Sequence, residues 1–303
     1  MVKCILKLLR LVIDIVGFMV VVGGIIFLVA KATHRPKNLS AFINCSGAFL
    51  KKSLEKDSFE YQGEPGKIEK FLVHVKLLFR EAGGSTEGDS GVSDRIFGMH
   101  LLFPDYAMLH SLVDEIFIHK IYAFTSKRPD PFIIDAGSNI GMSILFFKKM
   151  YPQAIIMGFE PSKRNFYMLE KNIKDNGLFG VRVFNKALTN DSATKEITLY
   201  NAGTTCGTLC KTGPTSRYEV VQTALLSSYI NQPVDLLKMD IEGAEYDVFQ
   251  DLFDNDKLQF VDQIIMEYHN PQGKISKLFD MFDKSGFTYE IKKEIIFAYK
   301  PLR

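Results

Sequence analysis

At 303 residues, with 37 Lys and Arg against 35 Asp and Glu, the chain carries a formal net charge of +2. That length holds one sizeable domain with additions, and so balanced a charge argues against nucleic acid as the dominant partner. Four cysteines (Cys4, Cys45, Cys206, Cys210) are too few and too scattered for a disulfide framework. Cys206 and Cys210 also lack C-x-x-C spacing and an accompanying pair of histidines.

The first element is Leu11–Ala30, an apolar run interrupted by Asp14 and three glycines. Its 20 residues match the hydrocarbon core of a bilayer at roughly 1.5 Å rise per residue. With Lys and Arg on both flanks it reads as a single-pass membrane anchor. A signal peptide is the rival reading, with Ala30-Lys31-Ala32 as its cleavage site, although the run exceeds the roughly 7–15 residues of an h-region. Lys3, Lys7 and Arg10 before the run balance Lys31, Arg35 and Lys37 after it, so charge sets no orientation. Lys51 and Lys52 lean toward a cytosolic C-terminal side.

Residues 31–66 mix polar residues, Gly and Pro, and read as a stem. Ile68–Arg80 has apolar residues at 68, 71, 72, 75, 78 and 79, the stripe of a helix. Glu81–Asp94 is rich in Gly, Ser and acids and reads as a loop. Asp105–Phe124 returns to helical spacing through Leu109, Leu112, Val113, Ile116 and Phe117. His74, His100, His110 and His119 in this region are expected as packed or surface residues, not ligands.

Phe132–Ile134 is a short apolar run behind Pro129 and Pro131, a buried strand. It ends in Asp135-Ala-Gly137-Ser138-Asn139-Ile-Gly141, and Met142–Met150 then reads as a helix. Strand, glycine turn and helix make the first βα unit of a nucleotide-binding sheet. The glycines admit a close ligand and the helix start offers free N–H groups. The turn is not G-x-G-x-x-G, so the dinucleotide fingerprint is missing. D-x-G-x-x-x-G is instead typical of S-adenosylmethionine (SAM) sites.

Ala154–Phe159 is the second strand, ending in Glu160-Pro161, with Glu160 25 positions after Asp135. A carboxylate at this place accepts hydrogen bonds from ribose hydroxyls. Ser162 is the expected N-cap of a helix through Asn176, and Gly177 its stop. Val181–Phe184 is a third strand delivering Asn185, expected at the adenine edge. Glu196–Tyr200 reads as an added strand, a Thr/Gly/Cys-rich loop follows at 203–214, and Tyr218–Leu226 leads through a polar stretch to the next strand.

Val234–Met239 is the fourth strand of the main sheet and delivers Asp240-Ile-Glu242-Gly-Ala-Glu245 beside the Asp135 turn. Glu245 should open a helix, where a carboxylate complements the dipole. Val261–Met266 ends in Glu267-Tyr268-His269. Histidine titrates near neutrality, so His269 is the expected base for a hydroxyl proton, oriented by Glu267 or Asp240. Asp240, Glu242, Glu267 and His269 as ligands for a divalent cation, or as a structural network, are the alternatives; no metal is assigned. A helix over 273–284 and the strands Phe287–Ile291 and Ile295–Tyr299 close the chain.

FIIDAGSNIGMSILFF, GFEPSKRNFYMLEKNIKDNG, NKAL and LLKMDIEGAEYDVF, in this order and spacing, resemble the FkbM-type methyltransferases over about residues 115–300. The resemblance implies a Rossmann-like α/β fold: a seven-stranded methyltransferase sheet, helices on both faces and a terminal reversed hairpin, here preceded by a transmembrane helix. It implies SAM as cofactor and a hydroxyl of a small molecule, sugar or glycan as acceptor. The expected division is an anchor at 1–31, a stem and helical lead-in at 32–104, and the methyltransferase domain at 105–303. Expected cofactor residues are Asp135, Gly137, Ser138, Asn139, Gly141, Glu160, Asn185 and Asp240; expected catalytic residues are His269, Glu267 and Glu242. A catalytically silent membrane protein that kept the fold for binding is the alternative.

Overall fold

The computed structural model describes residues 60–61, 63–82, 91–191, 196–200, 218–269, 273–292 and 294–300. The apolar run 11–30, the stem before residue 60 and the loop at 203–214 lie outside them. Among the described residues no helix is long and apolar enough to cross a membrane.

Helix α1 (Lys67–Ala82) leads in. It does not bury the stripe expected from its sequence: Phe71, Val75 and Leu77 are inside, while Ile68, Leu72 and Phe79 are exposed. Polar partners turn the helix. Lys70 pairs with Glu64, and the buried His74 meets the ring of His110 at 3.0 Å. A hairpin of β1 (Val92–Ile96) and β2 (Met99–Phe103) follows where a loop reaching residue 94 was expected. The support for it is not local. Asn172 accepts from the Leu102 N–H at 2.6 Å and donates to the Leu102 carbonyl at 2.9 Å, standing in for a neighbouring strand. Asn176, one helical turn on, does the same for His100.

Helix α2 (Tyr106–Leu112) starts at Asp105, whose side chain accepts from the Met108 N–H. It widens into a π-helical segment over Val113–Ile118, which turns Val113, Ile116, Phe117 and Ile118 all inward. Lys120, left-handed at φ +53°, ends it short of the expected Phe124.

The main sheet begins with β3 (Phe132–Ala136), buried along its whole length. Helix α3 (Met142–Met150), β4 (Ile155–Phe159), α4 (Lys163–Asp175) and β5 (Val181–Phe184) follow. Ser162 caps α4, and Gly177 at φ +59° lies just beyond its end. A short β6 (Ala187–Leu188), β7 (Glu196–Tyr200) and β8 (Tyr218–Ala224) form a separate three-stranded sheet in the order β6-β8-β7. The chain returns through β9 (Leu236–Met239), α5 (Glu245–Asp254), β10 (Gln263–Glu267), α6 (Ile275–Lys284), β11 (Thr288–Lys292) and β12 (Ile295–Tyr299).

Across the main sheet the order is β11-β12-β10-β9-β3-β4-β5. The five strands from β10 to β5 are parallel, and β12 runs antiparallel to β10 and β11, the reversed terminal hairpin. Strands in a parallel sheet are covered on both faces, which is why β3 and β9 lack polar alternation. One apolar core joins β3, β9 and β10 to α5 and α6 through Ile134, Leu237, Ile264, Phe249 and Phe282. The strand order reverses beside β3, so the turns after β3, β4, β9 and β10 meet at one sheet edge, where open α/β sheets hold ligands.

Candidate functional site

The half of the site over β3 and β4 is built by backbone. Gly137 and Ser138 donate their N–H groups to the Phe159 carbonyl at 3.0 and 2.9 Å, so the turn follows the end of β4. Gly137 is left-handed at φ +83°, and a Cβ there would stand 1.7 Å from the Asp240 carbonyl oxygen. No side chain fits. Gly141, at φ +90°, opens α3. Asn139 is left-handed without being glycine, at φ +49°, and its N–H donates to Glu160 Oε2 at 2.9 Å. Glu160 Oε1 accepts from the Ser162 N–H, also at 2.9 Å. The carboxyl is only 6% exposed, and burial pushes it up to about 7 in spite of those two donors. Asn139 Oδ1 is buried and meets no partner among the described residues.

Three residues expected at the cofactor have other primary contacts. Asp135 lies beneath the turn, fully buried, with Oδ2 accepting from the Ser143 hydroxyl at 2.6 Å and Oδ1 3.2 Å from the Lys238 ammonium. Ser138 turns its hydroxyl back to the Asp135 carbonyl at 2.9 Å. Asn185 donates from Nδ2 to the carbonyls of Glu160 and Pro161 at 2.9 and 2.8 Å. These side chains hold the shape of the turns.

The half over β9 and β10 is acidic. Tyr122 donates its hydroxyl to Asp240 Oδ2 at 2.9 Å. Glu242 is left-handed at φ +54° and Gly243 at φ +108°, a tight turn into α5. Glu245 opens α5 as expected, yet it is fully buried and does more than complement the dipole. Its Oε1 accepts from the N–H groups of Ile241 at 3.2 Å and Gly243 at 3.0 Å, tying the turn down. The same oxygen lies 3.1 Å from His269 Nδ1. On its other side, His269 Nε2 stands 3.5 Å from Glu242 Oε2 and 3.9 Å from Glu267 Oε1.

These distances set the charges. The hydrogen bond to Glu245 outweighs partial burial and, with the neighbouring carboxylates, pushes His269 up to about 9. Burial, then the charge of Asp240, pushes Glu242 and Glu267 each up to about 7. A value held up near 9 favours the protonated imidazole at neutral pH, while Glu242 and Glu267 sit near the middle of their titration. Asp240, Glu242 and His269 do bring one ligand atom each within 4.8 Å of one another. These are two hard carboxylate oxygens and one imidazole.

Three contributors were not singled out in the sequence. Tyr122 carries no local signal. Lys238 carries one, a lysine inside an apolar strand. Glu115, on the π-helical segment, has its carboxyl pushed up by burial and then by Asp240 and Asp114. Of the lead-in histidines, His74 is packed and His100 exposed.

The chain is similar to known methyltransferases. The family described as the Methyltransferase FkbM domain matches residues 135–289. "Methyltransferase 1" of Beauveria bassiana is 29% identical over 202 residues, covering 59% of this chain and 81% of that protein. "31-O-demethyl-FK506 methyltransferase FkbM" of Streptomyces tacrolimicus is 24% identical over 223 residues, covering 62% of this chain and 85% of that protein. Among solved structures, M. jannaschii TYW2 in complex with AdoMet superposes with a TM-score of 0.41 at 11% identity, covering 71% of this chain and 87% of that one.

Proposed function

From the premise that this chain belongs to the FkbM family of methyltransferases, we propose that it methylates a hydroxyl oxygen of a small molecule, sugar or glycan, with SAM as cofactor. The residues present fit that cofactor. Glu160 stands where ribose hydroxyls need an acceptor, Asn139 holds a buried oxygen with no partner among the described residues, and Gly137 keeps the turn free of a side chain. The first N–H groups of α3 have no intrahelical acceptor and face the same edge. When bound, SAM supplies an electrophilic methyl group on a cationic sulfur.

The chain's own work is alignment and proton removal. Much of the barrier to methyl transfer falls when donor and acceptor are held in line. A hydroxyl acceptor must also lose its proton, and Glu267 takes it on a carboxylate oxygen. Charged His269 lies between Glu242 and Glu245 and balances them. The cluster of acidic side chains beside the cofactor turn is the observation that carries this reading.

The test is incubation of the full-length protein with methyl-labelled SAM and a panel of hydroxylated metabolites and glycans. The expected product is a methyl ether, stable to mild alkali. A labelled methyl ester, from a carboxylate, or a labelled amine would overturn the hydroxyl assignment. Failure to bind S-adenosylhomocysteine would favour the catalytically silent alternative. Glu160→Gln should weaken that binding by roughly 1–3 kcal/mol, the worth of a hydrogen bond to a charged group. Residues 11–30 hold the enzyme at a membrane in this proposal, supported by their length and by the cations flanking them.

A further inference from the structure

Lys238 is a lysine in a strand whose four residues are all buried, and it is itself 2% exposed. Its ammonium donates to the Gly137 carbonyl at 2.6 Å and lies 3.4 Å from that of Ala136. It is 3.2 Å from Asp135 Oδ1 and 3.8 Å from Asp240 Oδ2. The ring of Tyr122 covers it, 5.0 Å from ammonium to centroid, while the Tyr122 hydroxyl donates to Asp240. The two turns that these side chains reach also touch through backbone. Asp240 donates its N–H to the Ala136 carbonyl at 3.1 Å, and its own carbonyl occupies the space a side chain at Gly137 would need.

Burial disfavours the charged ammonium, but Asp135, then Asp240 and more distantly Glu267, outweigh it and hold Lys238 above the usual lysine value. A buried ion pair of this kind is a weak source of net stability, because desolvation offsets most of the attraction. Its distinguishing feature is its place, at the joint between the cofactor turn and the acidic turn. At 2% exposure it does not reach the surface of the site.

We propose that Lys238, aided by Tyr122, is a positioning residue that locks the cofactor turn (137–141) to the acidic turn (240–243). The two halves of the site then keep one spacing with or without ligand. Lys238 acts through the Gly137 carbonyl and through the Asp135 and Asp240 carboxylates. Tyr122 acts through Asp240. The assignment rests on the cofactor reading above for its effect on binding, though the lock itself belongs to the ligand-free protein.

Two measurements on the full-length chain test it: calorimetric binding of S-adenosylhomocysteine, and hydrogen exchange of the ligand-free protein. Lys238→Met should weaken binding by about tenfold or more and speed exchange at both turns, leaving α6 and β12 unchanged. Lys238→Arg keeps the charge and donors and should recover most of the affinity. Tyr122→Phe, which keeps the ring, should weaken binding by about threefold with faster exchange at 240–243. If Lys238→Met does not fold, the Tyr122→Phe result decides. Folded variants that bind within about twofold of wild type, with unchanged exchange at the turns, overturn the proposal. A uniform rise in exchange across the sheet overturns it too, in favour of a general stabilising role. Wild type that binds no S-adenosylhomocysteine overturns the cofactor reading instead, and the exchange comparison still decides the lock.

Discussion

A carboxyl group with a pKa of about 7 accepts a proton at neutral pH, whereas an imidazole held at about 9 already carries one. Glu267→Gln should therefore lower turnover by roughly 10²–10⁴-fold and remove the acid limb of the rate profile near pH 7. In the wild type the rate should climb as Glu267 ionises and fall again as His269 loses its proton toward pH 9. The same substitution should raise stability. Glu267 has a folded pKa above its unfolded value, so the fold favours its neutral form, and the penalty builds as pH rises from about 4.5 to about 7 and is complete above that. Thermal melts should show the variant more stable than wild type at pH 8, with the difference gone at pH 4. Equal melting temperatures at pH 8 would sink that linkage. The partner experiment concerns Glu245, the first cause of the raised imidazole. With six histidines in the chain, the His269 ring can be followed by NMR, and Glu245→Gln should bring its titration down toward 6.5. An unmoved titration would place the cause elsewhere.

Between elements, side-chain amides do the joining. Asn172 sits on α4, 1% exposed, and its Nδ2 donates to the Leu102 carbonyl and, at 2.8 Å, to that of Ile140. One residue thus binds the hairpin to the cofactor turn. Asn172→Ala leaves buried backbone groups without partners and should cost about 2–3 kcal/mol in chemical denaturation. Exchange should rise first in 92–103 and at Ile140. A loss spread evenly over the molecule would mean that the hairpin is held by its apolar face instead. The turn before α5 follows the same logic with a carboxylate. Glu245 fastens two N–H groups of a turn in which Glu242 is left-handed, a conformation that costs roughly 1–3 kcal/mol for a non-glycine residue.

At the scale of the molecule, five parallel strands bring four turns to one edge, and the reversed hairpin β11–β12 leaves that edge free. The site therefore needs residues from turns more than 100 positions apart, as the bond between Tyr122 and Asp240 spans 118. The anchor proposal belongs at this scale as well. Full-length protein should stay in the membrane pellet after alkaline carbonate extraction, and deletion of residues 1–37 should release it. A mature chain beginning near Thr33 would identify a signal peptide instead.

The sequence alone determined the sheet and the order of its turns. Buried parallel strands need uninterrupted apolar runs, left-handed turns need glycines such as Gly137, and a helix start favours a residue such as Ser162; each signal is carried by a few consecutive residues. Glu160 was legible for the same reason, as a carboxylate at a strand end a set distance from a glycine turn. The hairpin at 92–103 and the buried face of α1 were not, because Asn172, Asn176 and His110, distant in the chain, determine them. Nor was the protonation of His269. Residue type places an imidazole near 6.5, but Glu242 and Glu245 from one strand end and Glu267 from another surround it only once β9 and β10 pair. A pKa follows burial and the charges within a few ångströms, and both exist only in three dimensions.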